Sequence, residues 1–173
     1  MKIGINLLGI MPSIGGAYNY VESLVRSLEQ YDNENEYFVF ITNYSKQIVK
    51  PLKKASIIKC RVNSKYRIFR IIYENTILPF LAKYYKLDKM LWPSDTIGFI
   101  NSVPAIVISH DFLALLSPKK FSPIKRTYLK FALKNTLNNA EVFLPISITT
   151  SKGPSNFFEL INFFVVQNPH DLE

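Results

Sequence analysis

The 173-residue sequence is poor in the residues on which several protein classes depend. It has one cysteine, Cys60, so an internal disulfide framework is excluded and a reducing compartment is expected. Cys60 lies in an apolar run, which predicts a packed core thiol rather than a nucleophile. The two histidines are 60 residues apart and no Asp-x-Asp pair occurs, so no metal site is predicted.

The sequence also lacks long apolar runs. Residues 3–10 follow Lys2, but Asn6 and two glycines interrupt them, so a first β-strand explains them better than a signal peptide. Residues 68–81 and 157–166 are broken by glutamate and asparagine and fall short of the roughly 18 apolar residues needed to span a bilayer. The protein is therefore predicted not to cross a membrane.

Acidic residues are missing from two stretches, which concentrates the net charge of +8. Residues 37–73 carry nine Lys or Arg and no acid, and residues 112–140 carry six and no acid. Such patches attract polyanions, including nucleic acid, anionic lipid headgroups and phosphate-bearing substrates. A solvated surface on a basic protein is the alternative, and the sequence leaves both open.

The sequence does contain enough apolar residues, 48% of the chain, to form one hydrophobic core. These residues occur in alternating strand and helix patterns. Strands are predicted at residues 2–8, 37–42, 56–62, 89–92, 104–109, 141–146 and 162–167. Helices are predicted at residues 18–30, at 65–86 with a bend or break at Pro79, within 119–139 after a loop, and from Gly153-Pro154 onward. This alternation predicts a single α/β domain, a doubly wound, mostly parallel Rossmann-like sheet with helices on both faces.

Ligands of such sheets bind beyond the carboxyl ends of the strands. The positions that fall there are residues 9–16, residues 93–96, His110-Asp111 and Ser147. Gly15-Gly16 opens a helix whose free N–H groups suit an anion, although no G-x-G-x-x-G or P-loop pattern is present. A tight turn that merely needs glycine is the alternative.

His110 and Asp111 form the second candidate site. A histidine at the end of a strand can hydrogen-bond a substrate hydroxyl or donate to a phosphate, and Asp111 can orient a sugar hydroxyl. The alternative is a structural pair in which Asp111 caps the loop.

Several short motifs occur in order along the chain. They are Lys2-Ile-Gly-Ile-Asn with Gly15-Gly16-Ala17-Tyr18, Tyr73-Glu74-Asn75 with Leu78-Pro79, Asp88-Lys-Met-Leu-Trp-Pro93, Ile106-Val-Ile-Ser-His110-Asp111 with Pro118 and Phe121, Pro145-Ile146-Ser147, and Val165-Val-Gln-Asn168. Together they resemble the N-terminal domain of retaining glycosyltransferase family 4, whose members have two facing Rossmann-like domains, the GT-B fold. The resemblance predicts an acceptor-side domain at residues 1–167 and the start of an interdomain linker at 168–173.

The resemblance also implies roles for the candidate residues. In that family the Gly-Gly loop lies near the donor diphosphate and the histidine reaches the transferred sugar. Donor diphosphate or sugar contacts are therefore expected at Gly15, Gly16 and Ser147, and catalytic positions at His110 and Asp111. The implied reaction is retaining transfer of a hexose from a nucleotide sugar, a substrate and not a cofactor, to a polysaccharide or lipid-linked acceptor.

The family's C-terminal signature is missing from the sequence. That signature is two glutamates separated by seven residues, and Glu22 and Glu29 have six between them. The expectation is a chain that ends before the donor-binding half and is inactive without it, either as a remnant or as a subunit completed by a separate donor-binding partner. A phosphate-ligand or nucleic-acid-binding module is the rival class, but no recognised aromatic motif supports nucleic acid.

The family resemblance gives the basic stretches a further meaning. Bacterial enzymes of this type often extend a glycan on a membrane-bound carrier and dock on anionic membrane. The predicted acceptor or membrane patch consists of Lys65, Arg67, Arg70, Lys119, Lys120 and Arg126. Residues 65–86 interleave cations with aromatics, as an interfacial helix does, and a core helix with a basic outer face is the alternative. The expected location is the bacterial cytoplasm, peripheral on the inner face of the membrane.

Overall fold

A computed structural model describes residues 1–110 and 122–146 of the chain. Its strands are β1 Lys2–Asn6, β2 Glu36–Ile41, β3 Ser56–Lys59, β4 Lys89–Trp92, β5 Ala105–Ser109 and β6 Val142–Pro145. Within the described residues the α-helices are α1 Gly16–Tyr31, α2 Lys46–Val49, α3 Arg67–Tyr84 and α4 Pro123–Asn139, with a 3-10 turn at Pro12–Ile14. Several predictions concern residues outside these ranges: those for Asp111, Lys119, Lys120, Ser147, the helix from Gly153-Pro154 and the strand at 162–167.

The chain divides into two compact units. In the first the strands follow the order β3-β2-β1-β4, and in the second β5 pairs with β6. Unit 1 comprises Met1–Pro93 and Ile100–Pro104, and holds β1 to β4 with α1 to α3. The described part of unit 2 comprises Ser94–Phe99 with residues 105–110 and 122–146, and holds β5, α4 and β6.

In unit 1 the central strand is β1. It pairs in parallel with β2 on one side and β4 on the other, and β2 pairs in parallel with β3. The chain moves toward one edge from β1 to β2, and back past β1 from β3 to β4. Because parallel crossovers are right-handed, α1 and α3 cover opposite faces. The predicted doubly wound, parallel Rossmann-like sheet is confirmed.

The core of unit 1 lies between this sheet and its helices. Ile5, Val39 and Phe40 have no exposed surface, and α1 on one face buries Val21 and Val25. On the other face α3 buries its own pair, Leu78 and Ala82. Burial on both faces explains why the strands are continuous apolar runs rather than alternating ones.

In its described residues, unit 2 has a core built on β5, β6 and α4. The two strands pair in parallel, and Phe143 of β6 has no exposed surface. On α4 the buried Thr136 hydroxyl donates to the Ala132 carbonyl and accepts from the Ile97 N–H at 3.0 Å. Ser122 caps the start of α4, its hydroxyl accepting from the Lys125 N–H.

The structure corrects several predicted boundaries. β1 ends at Asn6 and not at residue 8, because the Asn6 side chain accepts from the Leu8 N–H and turns the chain. The short helix α2 was not predicted. A break at Pro79 is wrong, since α3 runs through it. Burial of Leu78 and Ala82 on either side outweighs the backbone hydrogen bond that proline cannot donate.

The carboxyl end of α3 closes with a non-glycine residue in the left-handed region. The Leu87 N–H donates to the Ala82 carbonyl at 2.9 Å, and the Lys86 N–H to the Lys83 carbonyl at 3.0 Å. These two bonds form a Schellman motif, in which glycine is favoured at the position of Lys86. Lys86 adopts it with a φ of 54°, at a steric cost that its Cβ imposes.

Lys86→Gly is therefore expected to raise the free energy of unfolding by about 0.5–1 kcal/mol. Lys83→Gly removes the same charge one turn earlier, inside the helix, and is expected to lower it by up to about 1 kcal/mol. Urea denaturation followed by circular dichroism measures both variants. A Lys86→Gly protein less stable than the parent would contradict the strain argument.

Candidate functional site

The direction of chain connection reverses between β1 and β4, which are neighbours within unit 1. Open α/β sheets bind ligands outside the carboxyl ends of the strands at such a reversal. The carboxyl end of β1 is Asn6, and the chain continues from it through Gly9 to the 3-10 turn and α1. The candidate site is built from this end of β1, the N-terminus of α1 and the part of α3 that packs there.

The N-terminus of α1 is made by the two predicted glycines. Gly15 is its N-cap, with φ 60° and ψ −121°, a conformation that a side chain would strain, and Gly16 is its first residue. A Cβ at either position would meet no described heavy atom within 4 Å, so the space beside the first turn is open in the described structure. The first N–H groups of a helix have no partner inside it, and no acidic residue stands in this first turn. This end of α1 can therefore accept an anion.

Three polar side chains, the β1-end cluster of Asn6, Arg70 and Glu74, lie at the end of β1. The Asn6 amide donates to Glu74 Oε1 at 3.1 Å, and its oxygen accepts from the Leu8 N–H at 3.0 Å. Arg70 Nε lies 3.7 Å from Glu74 Oε2. Two side chains of α3 thus hold the residue from which the loop after β1 departs.

Arg70 also packs against that loop. A Cβ at Gly9 would stand 3.1 Å from the Arg70 Cζ and closer still to Nη1, so the guanidinium occupies the space that a side chain there would need. Arg70 was predicted to belong to an acceptor or membrane patch, and the structure places it about one-fifth exposed beside Glu74. Arg67 is half-buried and acts electrostatically on Glu74, while Lys65 is exposed. In unit 2, Arg126 is exposed near the start of α4.

Glu74 is the one carboxyl of the β1-end cluster, and its pKa is raised. Burial raises the pKa of Glu74, and the charge of Arg70, the hydrogen bond from Asn6 and the charge of Arg67 oppose that rise. The raised pKa shows that loss of hydration outweighs the favourable partners. Glu74 therefore takes up a proton more readily than a glutamate in water.

In unit 2, His110 follows the last residue of β5. Asp95 holds this end of the strand, because its Oδ1 accepts both from the Ser109 hydroxyl at 2.9 Å and from the His110 backbone N–H at 2.8 Å. The His110 side chain is half-buried. Asp95 is thus a positioning residue for His110.

Sequence reasoning did not assign roles to Asn6, Glu74 or Asp95. Each carried a signal. Asn6 is a polar residue inside an apolar strand, and Glu74 interrupts an apolar helical run. Buried polar residues in such places must be hydrogen-bonded, so a search for pairs of them would have found these two. Asp95 lies within residues 93–96, which were predicted to border the site.

Two features are absent from residues 1–110 and 122–146. No helix there has both the length and the apolar character needed to cross a bilayer. No group of three His, Cys, Asp or Glu side chains there is arranged to hold a metal ion.

The chain is similar in structure to the apo form of the lipopolysaccharide outer core galactosyltransferase WaaB. The TM-score is 0.56 at 16% sequence identity, and the match covers 98% of this chain and 46% of that chain. No protein-family model and no curated protein matches the sequence. At this identity the likeness shows the fold, and the chain spans less than half the length of the galactosyltransferase.

The raised pKa of Glu74 predicts a pH-dependent stability. A carboxyl whose pKa is higher in the folded than in the unfolded state contributes stability below its unfolded pKa, and this is lost as pH rises through the folded pKa. The unfolding free energy of the parent minus that of Glu74→Gln is therefore expected to fall as pH rises from 4 toward neutrality. Urea titrations at a series of pH values measure the difference.

Glu34→Gln is the matched control, since it removes the same charge from an exposed position in unit 1. A Glu74 difference that stays flat, or that grows in favour of the parent as pH rises, would show that Arg70 and Asn6 outweigh burial.

Proposed function

We propose that the chain is the acceptor-side half of a glycosyltransferase that transfers a hexose, with retention, from a nucleotide sugar to a polysaccharide or lipid-linked acceptor. The observation that carries this proposal is the open, glycine-lined N-terminus of α1 beside the reversal between β1 and β4. A fold shared with a lipopolysaccharide outer core galactosyltransferase supports the proposal. The name of that protein specifies transfer of galactose, a hexose, in a lipopolysaccharide, and this supports the proposed donor sugar and acceptor class. Because a second half would hold the nucleotide, the chain by itself is proposed to be inactive.

In the proposed reaction, the bond between sugar C1 and the diphosphate oxygen breaks, and an acceptor oxygen bonds to C1 on the same face. The acceptor hydroxyl loses its proton to the departing diphosphate. As the C1–O bond breaks, its electron pair stays on the diphosphate, and the N–H groups at the start of α1 stabilise the negative charge that grows there before the proton arrives. Gly15 and Gly16 let the phosphate oxygens approach the backbone without a side chain between them.

The remaining assignments belong to the same proposal. His110 positions the transferred sugar, with Asp95 holding its backbone through the bond at 2.8 Å. Asp111 and Ser147 are further proposed contacts to the sugar or the diphosphate. Residues 1–167 form the proposed acceptor-side domain and residues 168–173 the start of its linker.

The test requires the donor-binding half. The coding DNA is sequenced through and beyond codon 173, together with the adjacent genes. The reading frames are searched for a polypeptide with two glutamates separated by seven residues. That polypeptide is expressed with this chain, and release of nucleoside diphosphate from a panel of nucleotide hexoses is measured with a glycan acceptor. The proposed function would be contradicted if no such polypeptide were found, or if the two chains together showed no turnover.

Within the active assembly, Gly16→Ala is expected to lower turnover by about tenfold or more, because its Cβ enters the space proposed for the diphosphate. Its stability is expected to stay equal or rise, since alanine is the better helix former. His110→Ala is expected to lower turnover by about a hundredfold. Ser27→Ala, on the exposed side of α1, is the control and is expected to retain turnover. Unchanged turnover in both test variants would refute the site.

An anionic membrane is the proposed partner of α3. The α3 aromatic face, defined as Tyr66 at the N-cap with Phe69, Phe80 and Tyr84, has side chains between 56% and 69% exposed. The exposed Lys83 lies in the last turn of the helix, and the exposed Lys65 lies two residues before its start. Large exposed aromatic surface beside lysines suits the boundary between lipid headgroups and acyl chains, where aromatic rings and cations both find partners.

Phe80→Ser is expected to weaken binding to vesicles of phosphatidylcholine with phosphatidylglycerol by about tenfold. Phe131→Ser is the matched control, because Phe131 on α4 is 64% exposed and Phe80 is 66% exposed. Co-sedimentation measures bound protein against lipid concentration. Equal losses in the two variants, or no binding by the parent chain, would exclude α3 as the docking element.

A further inference from the structure

A concave surface in unit 1, separate from the β1-end cluster, opens beyond the carboxyl ends of β2 and β3. This β2–β3 cavity has a volume of about 780 Å³ and is lined by Asn43, Tyr44 and residues 59–63. Its volume falls within the range of small-molecule sites, roughly 300–1,000 Å³. Since β1, β2 and β3 are parallel neighbours, the cavity and the end of β1 share one edge of the sheet.

The charge of the cavity has one sign. Among the described residues that line it, Lys59 and Arg61 are the charged ones, both with exposed side chains, and none carries a carboxylate. The sequence around it reinforces this, because residues 37–73 contain no acid. Two neighbouring cations without a carboxylate among the lining residues attract an anion and can donate several charge-assisted hydrogen bonds to it.

The uncharged lining residues are hydrogen-bonding and aromatic. Asn43 and Asn63 bring side-chain amides, and Tyr44 brings a ring and a hydroxyl, 37% exposed. The backbone beneath them is held in place, since Tyr44 N–H donates to Thr42 Oγ1 at 3.3 Å and Lys65 N–H to Asn63 Oδ1 at 3.2 Å. Amides and a tyrosine match the hydroxyls and the ring of a sugar.

Cys60 forms the floor of the cavity and leaves its charge unchanged. Its side chain is buried, and its thiol lies 3.8 Å from the Ile58 carbonyl. Burial raises the pKa of the Cys60 thiol, against a hydrogen bond from Tyr73 that lowers it. The thiol therefore stays protonated at neutral pH and adds no negative charge opposite Lys59 and Arg61.

We propose that the β2–β3 cavity binds a phosphate group carried by a sugar and thereby selects a phosphorylated glycan as the acceptor. The proposal rests on the function proposed above and names the chemical class of its acceptor. A neutral sugar would leave Lys59 and Arg61 unmatched, whereas a sugar phosphate matches both the cations and the amides. The cavity lies at the same edge of the sheet as the carboxyl end of β1. An acceptor bound in the cavity would therefore lie alongside the proposed transfer site.

The test is a calorimetric titration of the full chain with glucose 6-phosphate, with glucose as the uncharged counterpart. Glucose 6-phosphate is expected to bind at least about tenfold more tightly than glucose. The double variant Lys59→Gln/Arg61→Gln is expected to lose about tenfold or more of that affinity. Lys50→Gln/Lys53→Gln is the matched control, since it removes two exposed charges that do not line the cavity, and it is expected to retain the affinity. Circular dichroism confirms that both double variants are folded.

Three outcomes would overturn the proposal. Equal affinity for glucose and glucose 6-phosphate would exclude a phosphate subsite. Equal losses in the two double variants would show a general attraction of a basic surface. Loss of binding to phosphatidylglycerol vesicles in Lys59→Gln/Arg61→Gln, with no binding of glucose 6-phosphate, would assign the cavity to a lipid phosphate instead of a glycan.

The titration needs no donor-binding half, so its result is independent of the transfer assay. Glucose 6-phosphate binding that depends on Lys59 and Arg61, without turnover in any assembly, would leave the phosphate site standing and remove its acceptor role. Turnover that depends on Gly16, with no cavity dependence, would leave the transferase and remove the subsite.

Discussion

Unit 1 depends on the pairing of β1 with strands on both of its sides. Asn6, at the carboxyl end of this strand, is only 4% exposed, so its amide needs partners from the protein. It finds them in Glu74 of α3 and the Leu8 N–H. The same bonds end the strand, turn the chain toward Gly9 and begin the path to α1. The geometry of the candidate site is thus set by how one buried amide is satisfied.

Glu74 passes this constraint on to α3. Its carboxyl is buried, so Arg70 must stay close to offset the cost, and Arg70 in turn occupies the space beside Gly9. The inner side of α3 therefore contacts the carboxyl end of β1 and the loop that follows it. Its outer side carries exposed aromatic residues that the core does not use. One helix accordingly supports the loop that leads to the proposed diphosphate site and offers a separate surface to a partner.

The nine cations of residues 37–73 form one run in the sequence but serve different places in unit 1. Arg70 is paired beside β1, Lys59 and Arg61 line the β2–β3 cavity, and Lys65 lies on the exposed side at the start of α3. The number of Lys and Arg residues in this stretch predicts affinity for anions, but it does not separate these roles. The separation depends on which residues the helix and the strand ends bring to one surface, and spacing along the chain does not encode it.

Apolar periodicity by itself determined the order along the chain of β1 to β6 and of α1, α3 and α4, because burial on both sheet faces requires continuous apolar runs and helix burial requires spacing near 3.6. It also located Gly15, Gly16 and His110, since strand ends and glycine pairs are visible locally. Tertiary structure alone decided that Asn6 meets Glu74 across 68 residues, that Asp95 holds His110, and that α3 continues through Pro79. Those outcomes depend on which buried polar groups find partners and on packing that outweighs local propensity. Both are properties of segments brought together by folding, and a sequence read one window at a time does not contain them.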